Sequence, residues 1–395
     1  MKVKADVCIV GGGPAGLVLA LILGRRGVDA VVLEKHGSFL RDFRGDTVHP
    51  STLQLMDELG LGEELAALPH RVVRQLQITY AGGTFRPVDF ARLRATHPYV
   101  MMLPQWDFLE LLATHGEFTL HRNAEVVSVN RSDRRVAGVT AMTPDGTLEV
   151  EAPLTVACDG RNSTVRRELG LRSKEYGAPI DILWFRLPRE PGDPEGMAGR
   201  ADEGRLFFGI DRGEYWQMGW VVLKGGDEQI RAAGLPAFRA ALAESVPYLA
   251  DRVAEIRDWD QVQTLTVRMD RLYRWHVPGA LLIGDAAHAM SPVGGVGINL
   301  AIQDAVAAAR VIVAAFERGR APTQGELASV QRRRSLPTAG TQLIQRAFQR
   351  GVLAPALSGR PMRPPLPVRL LDRYPALGAI PARLIGVGLR PEHVA

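Results

Sequence analysis

The chain has 395 residues, 46 % of them hydrophobic but only 6 % aromatic, enough to bury a large core in two or three domains. Its net charge of +5 comes from scattered arginines with one cluster at Arg332-Arg333-Arg334, and no basic stripe interleaved with aromatics accompanies it, which argues against nucleic acid as a partner. No window of about twenty apolar residues stands out, Met1-Lys2-Val3-Lys4 runs straight into a strand, and Cys8 and Cys158 are too few for a disulfide framework or a metal site, so a cytoplasmic protein with no transmembrane segment and no metal is expected.

Val7-Cys8-Ile9-Val10 is short, apolar and β-branched, as a central parallel strand requires. It runs into Gly11-Gly12-Gly13-Pro14-Ala15-Gly16. Gly11 permits a tight strand-to-helix turn, Gly13 has no Cβ to hold the backbone away from a pyrophosphate, and Gly16 lets the next helix pack closely on the sheet. Pro14 suits a first helical turn, Leu17, Leu19, Ala20, Leu21 and Leu23 make the helix apolar on nearly all sides, and Gly27 stops it behind Arg25 and Arg26. The second strand, 30–33, delivers Glu34 to its carboxyl end, where a carboxylate accepts hydrogen bonds from both ribose hydroxyls and disfavours a 2′-phosphate. Strand, turn, helix, strand and acid in register make a complete dinucleotide-binding fingerprint, with the pyrophosphate expected on the helix N-terminus.

Beyond about residue 70, Gln75–Tyr80 alternates like a strand that Gly82-Gly83 ends, a helical pattern covers 105–112, and turns at Ser132-Asp133 and Pro144-Asp145-Gly146 mark a small meander. A strand over 154–158 ends at Asp159-Gly160. The segments 181–187, 204–210 and 215–223 read as strands of a mostly antiparallel sheet, followed by a helix over about 235–249. An apolar strand at 280–283 and an Ala-rich helix over about 297–315 return to the first pattern. The last sixty residues, rich in proline between amphipathic pieces, read as an irregular cap. Its segment 379–389 is expected to pack on its own protein or on the mate of a homodimer. The nucleotide domain is thus discontinuous, at 1–70, 100–170 and 265–330, with a sheet domain at 71–99 and 171–264 and a helical cap at 331–395.

Two further motifs complete the pattern. Asp159-Gly160-Arg161-Asn162-Ser163 directly follows a strand, at the sheet edge where cofactors bind in open α/β folds. Gly284-Asp285-Ala286-Ala287-His288-Ala289-Met290-Ser291-Pro292, continued by Gly294-Gly295-Val296-Gly297-Ile298-Asn299, places Asp285 at a strand end to accept a hydroxyl and glycines where backbone must pass a planar ligand. With these three motifs, about the first 320 residues resemble the group A flavoprotein aromatic hydroxylases, the p-hydroxybenzoate hydroxylase-like FAD monooxygenases. The resemblance implies an α/β fold: a Rossmann-like FAD-binding domain of glutathione reductase type, an inserted mostly antiparallel β-sheet substrate domain and a helical C-terminal cap. It implies Gly11, Gly13, Pro14, Ala15, Gly16, Glu34 and Lys35 at the ADP half of FAD, Val126 near the adenine, Gly284 and Asp285 along the ribityl chain and pyrophosphate, and Asp159 in a segment shared between FAD and nicotinamide contacts. The same resemblance implies that Arg44 contacts FAD, that Gln105 opens a helix beside the flavin, and that Pro292, Gly294, Gly295, Gly297, Ile298 and Asn299 pass beside the isoalloxazine ring. His288 is read as structural, packed below the flavin loop.

A single fingerprint leaves NADPH or NADH as a transient reductant. The resemblance implies that NAD(P)H reduces FAD, that dioxygen adds to form a C4a-hydroperoxide, and that its distal oxygen passes to a small aromatic substrate, phenolic, quinoid or heteroaromatic. The backbone carbonyl of Pro292 is the candidate catalytic group. A pocket between flavin loop and sheet nominates Thr47, His49, Trp184, Arg186, Phe207, Tyr215, Gln217 and Trp220, of which strand alternation turns about half inward. A flavin-dependent reductase of isoprenoid double bonds shares the FAD motifs and stays open as an alternative, as does a non-catalytic FAD-binding redox sensor. Halogenation is disfavoured because 183–188 lacks the paired tryptophans of a halogenase.

Overall fold

The computed structural model describes residues 1–40, 47–80, 82–202, 204–357 and 364–394. The central sheet has five parallel strands, in the spatial order Ala280–Leu282, Leu154–Ala157, Val7–Val10, Ala30–Glu34 and Thr119–Arg122, the first four buried and largely apolar and the last a partly exposed edge, with His276–Val277 closing the other edge as an antiparallel strand. Every residue of Val7–Val10 and Ala30–Glu34 is buried, as expected of strands covered on both faces. Against this sheet lies the fingerprint helix Pro14–Arg25, and against that helix packs Val296–Phe316.

A second, smaller sheet carries the meander: Glu125–Ser132, Arg135–Thr143 and Gly146–Glu151 pair antiparallel, and Lys2–Lys4 joins its edge in parallel, where Lys2 and Lys4 face Glu151. The larger mixed sheet runs Gln263–Leu265, Ile180–Pro188, Tyr215–Leu223, Arg205–Asp211, Met197–Asp202, Gln75–Tyr80 and Gly83–Asp89. Met197–Asp202 is missing from the sequence reading, yet its parallel pairing with Gln75–Tyr80 is what joins the two parts of this sheet. Gly and Arg interrupt its alternation, which hides it as a strand.

Three further expectations are corrected. The segment 293–316 is, by length and composition, apolar enough to cross a bilayer, contrary to the expectation that no such window exists; most of it is buried inside the protein, between the fingerprint helix and the helix that follows. The helix over 235–249 stops at Ser245, with Pro247–Leu249 a separate 3-10 turn, because Pro247 cannot continue the hydrogen-bond ladder. The cap is less irregular than its prolines suggest: Gln324–Phe348 is one continuous helix, capped by Thr323 and Glu326, with Pro337 buried inside it. Burial of that face holds the helix across the proline. A π-helical turn, Gln349–Leu353, follows.

Candidate active site

At the carboxyl ends of the central strands the fingerprint turn is built as the sequence requires. The Glu34 carboxylate, 4 % exposed, accepts from the Gly12 and His36 backbone N–H groups at 2.9 and 3.0 Å, which fixes it at the strand end beside the turn. A Cβ on Gly13 would meet no atom within 4 Å, so the helix N-terminus faces open space, while Pro14, Ala15 and Gly16 form the first helical turn. Ala124 N–H donates to the Glu34 carbonyl, drawing the buried Val126 alongside the same edge; Lys35 beyond it is exposed. Gln105 opens the helix Gln105–Thr114. Arg44 lies outside the described residues.

The Asp-Gly segment stands next to this turn. Asp159 Oδ2 accepts from Val165 N–H at 3.2 Å, Oδ1 is buried without a partner, and burial pushes the carboxyl up from its ordinary value. Arg161 Nε donates to Asp285 Oδ2 at 3.0 Å, a contact absent from the sequence reading because the two residues lie 124 positions apart. Gly284, at φ +58°, opens the turn before Asp285.

From there the chain forms the glycine loop. Gly294 and Gly295 take φ of +80° and +64°, a left-handed pair that side-chain-bearing residues resist, and Gly295 caps the Val296–Phe316 helix. The Pro292 carbonyl accepts from Gly295 N–H at 3.0 Å, closing the turn with one of its two lone pairs. Thr47 Oγ1 donates to the Gly295 carbonyl at 3.1 Å, and Asn299 Oδ1 accepts from Ser51 Oγ at 2.8 Å and Thr52 Oγ1 at 2.7 Å. Gly297 and Ile298 follow in the first turn of the helix.

The loop is held from behind by side chains that the sequence reading missed. Gln342, Gln345 and Gln349, spaced three and four apart on one face of the long helix and its π turn, are all buried. Gln345 accepts from Ser291 N–H and donates to the Ser291 and Val293 carbonyls at 2.9 and 2.8 Å, bracketing Pro292 on both sides. Gln342 donates to the Asp270 and Ala289 carbonyls, and Gln349 to Ser291 Oγ. A polar stripe at helical spacing was the available signal. His288 packs on Trp275 and pairs with the fully buried Asp304, as expected of a structural residue; Asp304 also accepts from Gly284 N–H and from Arg334 Nε.

Across from the loop, the large sheet divides by strand alternation. Trp184, Ile210 and Phe208 lie on the face that packs with Val293, Ile385 and Phe348, and Arg186, Tyr215 and Gln217 share that face by register. Arg186 stacks over Tyr215, and the Gln217 amide oxygen accepts from Arg212. Phe207 and Trp220 are removed from the candidate pocket: they stack on each other at 4.7 Å and pack on Phe238 beneath the helix Leu235–Ser245, on the opposite face. The phase of alternation puts Phe208 in their place. Trp184 meets Phe208 edge-on at 5.0 Å, and its indole N–H is buried without a partner.

His49 sits between the loop and the C-terminal helix Ala379–Gly386. It is 1 % exposed and neither ring nitrogen makes a well-formed hydrogen bond. Burial pushes its pKa down to about 4, and the nearby Ile385 and Gly295 carbonyls offset only part of this.

The residues fit FAD. Open space before Gly13, a fixed carboxylate at the second strand end, an unpartnered Asp159 oxygen and Asp285 at a strand end supply a cradle and polar groups in the order the cofactor needs. A family model described as "FAD binding domain" matches residues 4–345. The chain is 31 % identical over 385 residues to 6-methylpretetramide 4-monooxygenase of Streptomyces rimosus, covering 96 % of this chain and 91 % of that one. It is 30 % identical over 329 residues to 12-dehydrotetracycline 5-monooxygenase/anhydrotetracycline 6-monooxygenase of Streptomyces rimosus subsp. rimosus; that match takes in 77 % of this chain but only 61 % of the relative's length. The solved structure of OxyS anhydrotetracycline hydroxylase from Streptomyces rimosus superposes with a TM-score of 0.76 at 27 % identity, over 99 % of this chain and 78 % of that one.

Proposed function

We propose that this chain, which belongs to the FAD binding domain family and is an FAD-dependent monooxygenase, hydroxylates a multi-ring phenolic or quinoid aromatic held between its glycine loop and the inner face of its large sheet. The observation that carries this reading is the apolar wall of Trp184, Phe208 and Ile210, which belongs to the same hydrophobic cluster as Val293, one residue from Pro292. The relatives' named substrates, 6-methylpretetramide and anhydrotetracycline, suggest the size class.

When bound, FAD accepts electrons from NADPH or NADH and supplies the oxygen-activating chemistry. The chain's residues do the rest. Gly11 to Gly16 and Glu34 bind the ADP half, Asp159 and Asp285 take the ribityl and pyrophosphate side, and Gly294 to Asn299 pass backbone beside the ring. Gln345 keeps the Ser291 and Val293 carbonyls turned away from the pocket, which fixes how the Pro292 peptide faces it. Trp184 Nε1–H, buried and unpartnered, is the wall donor for a substrate carbonyl or phenol oxygen. The apolar wall excludes water from the reacting face.

The test is turnover of the FAD-loaded enzyme under ¹⁸O₂ with NADPH and either 6-methylpretetramide or anhydrotetracycline. One labelled oxygen in the product, with one NADPH consumed per product, is expected. A reduced, unlabelled product would favour the double-bond reductase, and NADPH consumption yielding peroxide alone would overturn the reading for these substrates.

A further inference from the structure

Away from the cofactor cradle, an open cavity of about 230 Å³ is lined by Tyr176, Pro179, Arg346, Gln349 and Arg350 among others. It lies where the loop entering strand Ile180–Pro188 meets the π turn that ends the long helix. Tyr176 is the centre of a cationic cluster. The Arg346 guanidinium lies 4.9 Å from its ring centroid, the Arg271 guanidinium 5.6 Å, and Lys174 Nζ 5.6 Å, while Arg271 Nη2 donates to the Tyr176 hydroxyl at 2.8 Å. Arg350 adds a further cation on the cavity rim.

Among the described residues, none of these four cations forms an ion pair. Asp270, which faces Glu175 in the paired strands, is engaged by Arg166 at 2.9 Å, and alternation along Ser173–Glu175 turns Glu175 away from Lys174. Like charges gathered around one ring repel, and cation–π stacking on Tyr176 orients the guanidiniums without neutralising them. Arg346 Nε is in addition buried with no hydrogen-bond partner, a donor that has left water and gained nothing in the protein. An anion in the cavity resolves both. Guanidinium forks stacked on an aromatic face are suited to phosphate oxygens, which they meet two at a time. The inner cavity wall, Gln349, donates to Ser291 Oγ at 2.5 Å, so the site adjoins the loop bearing Pro292.

We propose that the Tyr176 cluster is a binding site for a phosphate-class anion, carried either by the dinucleotide reductant or by the substrate. The reductant source rests on the monooxygenase reading; anion binding itself does not. The test is calorimetric titration of the FAD-loaded protein with inorganic pyrophosphate, for the wild type, R346Q, R350Q and R346K. Each neutralising variant is expected to weaken binding about tenfold, R346K to recover part of the loss, and added salt to weaken the wild type. Absence of pyrophosphate binding in the wild type, or equal affinity in wild type, R346Q and R350Q, overturns the proposal. Once binding is lost in R346Q, steady-state kinetics assign the source: a higher KM for NADPH but not NADH identifies the 2′-phosphate, a higher KM for both identifies the pyrophosphate bridge, and unchanged KM for both leaves the substrate as carrier.

Discussion

Asp304 offers the sharpest test of how the site is held. Its carboxylate is fully buried and takes three partners: Arg334 Nε at 2.9 Å, His288 Nε2 at 2.5 Å and Gly284 N–H at 3.1 Å. Replacing it by alanine strands the Arg334 guanidinium, itself 1 % exposed, with only the Arg390 carbonyl and the longer contact to Glu392 at 3.4 Å. Removing one member of a buried pair costs about 3–5 kcal/mol, mostly through the charge left behind. At about 2.1 cal/mol/K per residue, a chain of 395 residues has an unfolding entropy near 0.8 kcal/mol/K, so D304A should melt about 5 °C lower. Because Gly284 loses its anchor just before Asp285, FAD should also dissociate faster. The assay is differential scanning calorimetry with and without FAD, on D304A and on D304A/R334M. If the stranded charge is the cause, the double variant regains most of the lost stability; a double variant that melts as low as D304A refutes the argument. The sign with pH follows from the same contacts. Burial alone would raise the Asp304 carboxyl, but attraction and hydrogen bonds from His288 and Arg334 hold it below the usual carboxylate range. Its contribution is therefore complete above about pH 4 and is lost as pH falls further, through the folded value.

Three more outcomes are expected. Gly13→Ala should melt like the wild type without FAD, because its Cβ meets open space, yet weaken FAD binding by at least about tenfold; Gly11→Ala, at φ +105° with its Cβ 2.5 Å from the Cys158 carbonyl oxygen, should destabilise the apoprotein itself, and fluorescence titration with melting curves separates the two. Gln345→Leu removes three hydrogen bonds from the loop, about 3 kcal/mol of positioning, and should raise the peroxide released per NADPH, read by a coupled peroxidase assay. The lowered pKa of His49, about 4 against 6.5 in the unfolded chain, means that the folded protein resists its protonation; stability should fall by up to about 3 kcal/mol between pH 6.5 and 4, and H49Q should flatten that part of the profile in urea titrations at several pH values.

The cofactor half of the protein was legible in one dimension because its chemistry is local. Strand, glycine turn, helix and Glu34 follow within a few dozen residues, and each residue type is required by backbone geometry at its own position. The same holds for the Asp159 turn and for the Gly294-Gly295 pair, whose consecutive left-handed conformations glycine adopts without the steric cost a Cβ imposes. What was not legible depends on contacts between distant segments. Alternation limited the sheet aromatics to two faces, but only pairing with the rest of the fold decided that Trp184 and Phe208 face the loop while Phe207 and Trp220 face the helix Leu235–Ser245. Arg161 with Asp285, the glutamines behind Ser291, and Asp304 between His288 and Arg334 are likewise long-range contacts. The sequence by itself determined the cofactor and its turn, since a backbone conformation constrains the residue that occupies it; only the tertiary structure decided the pocket wall and the supports of the loop, since packing chooses partners that no spacing along the chain records.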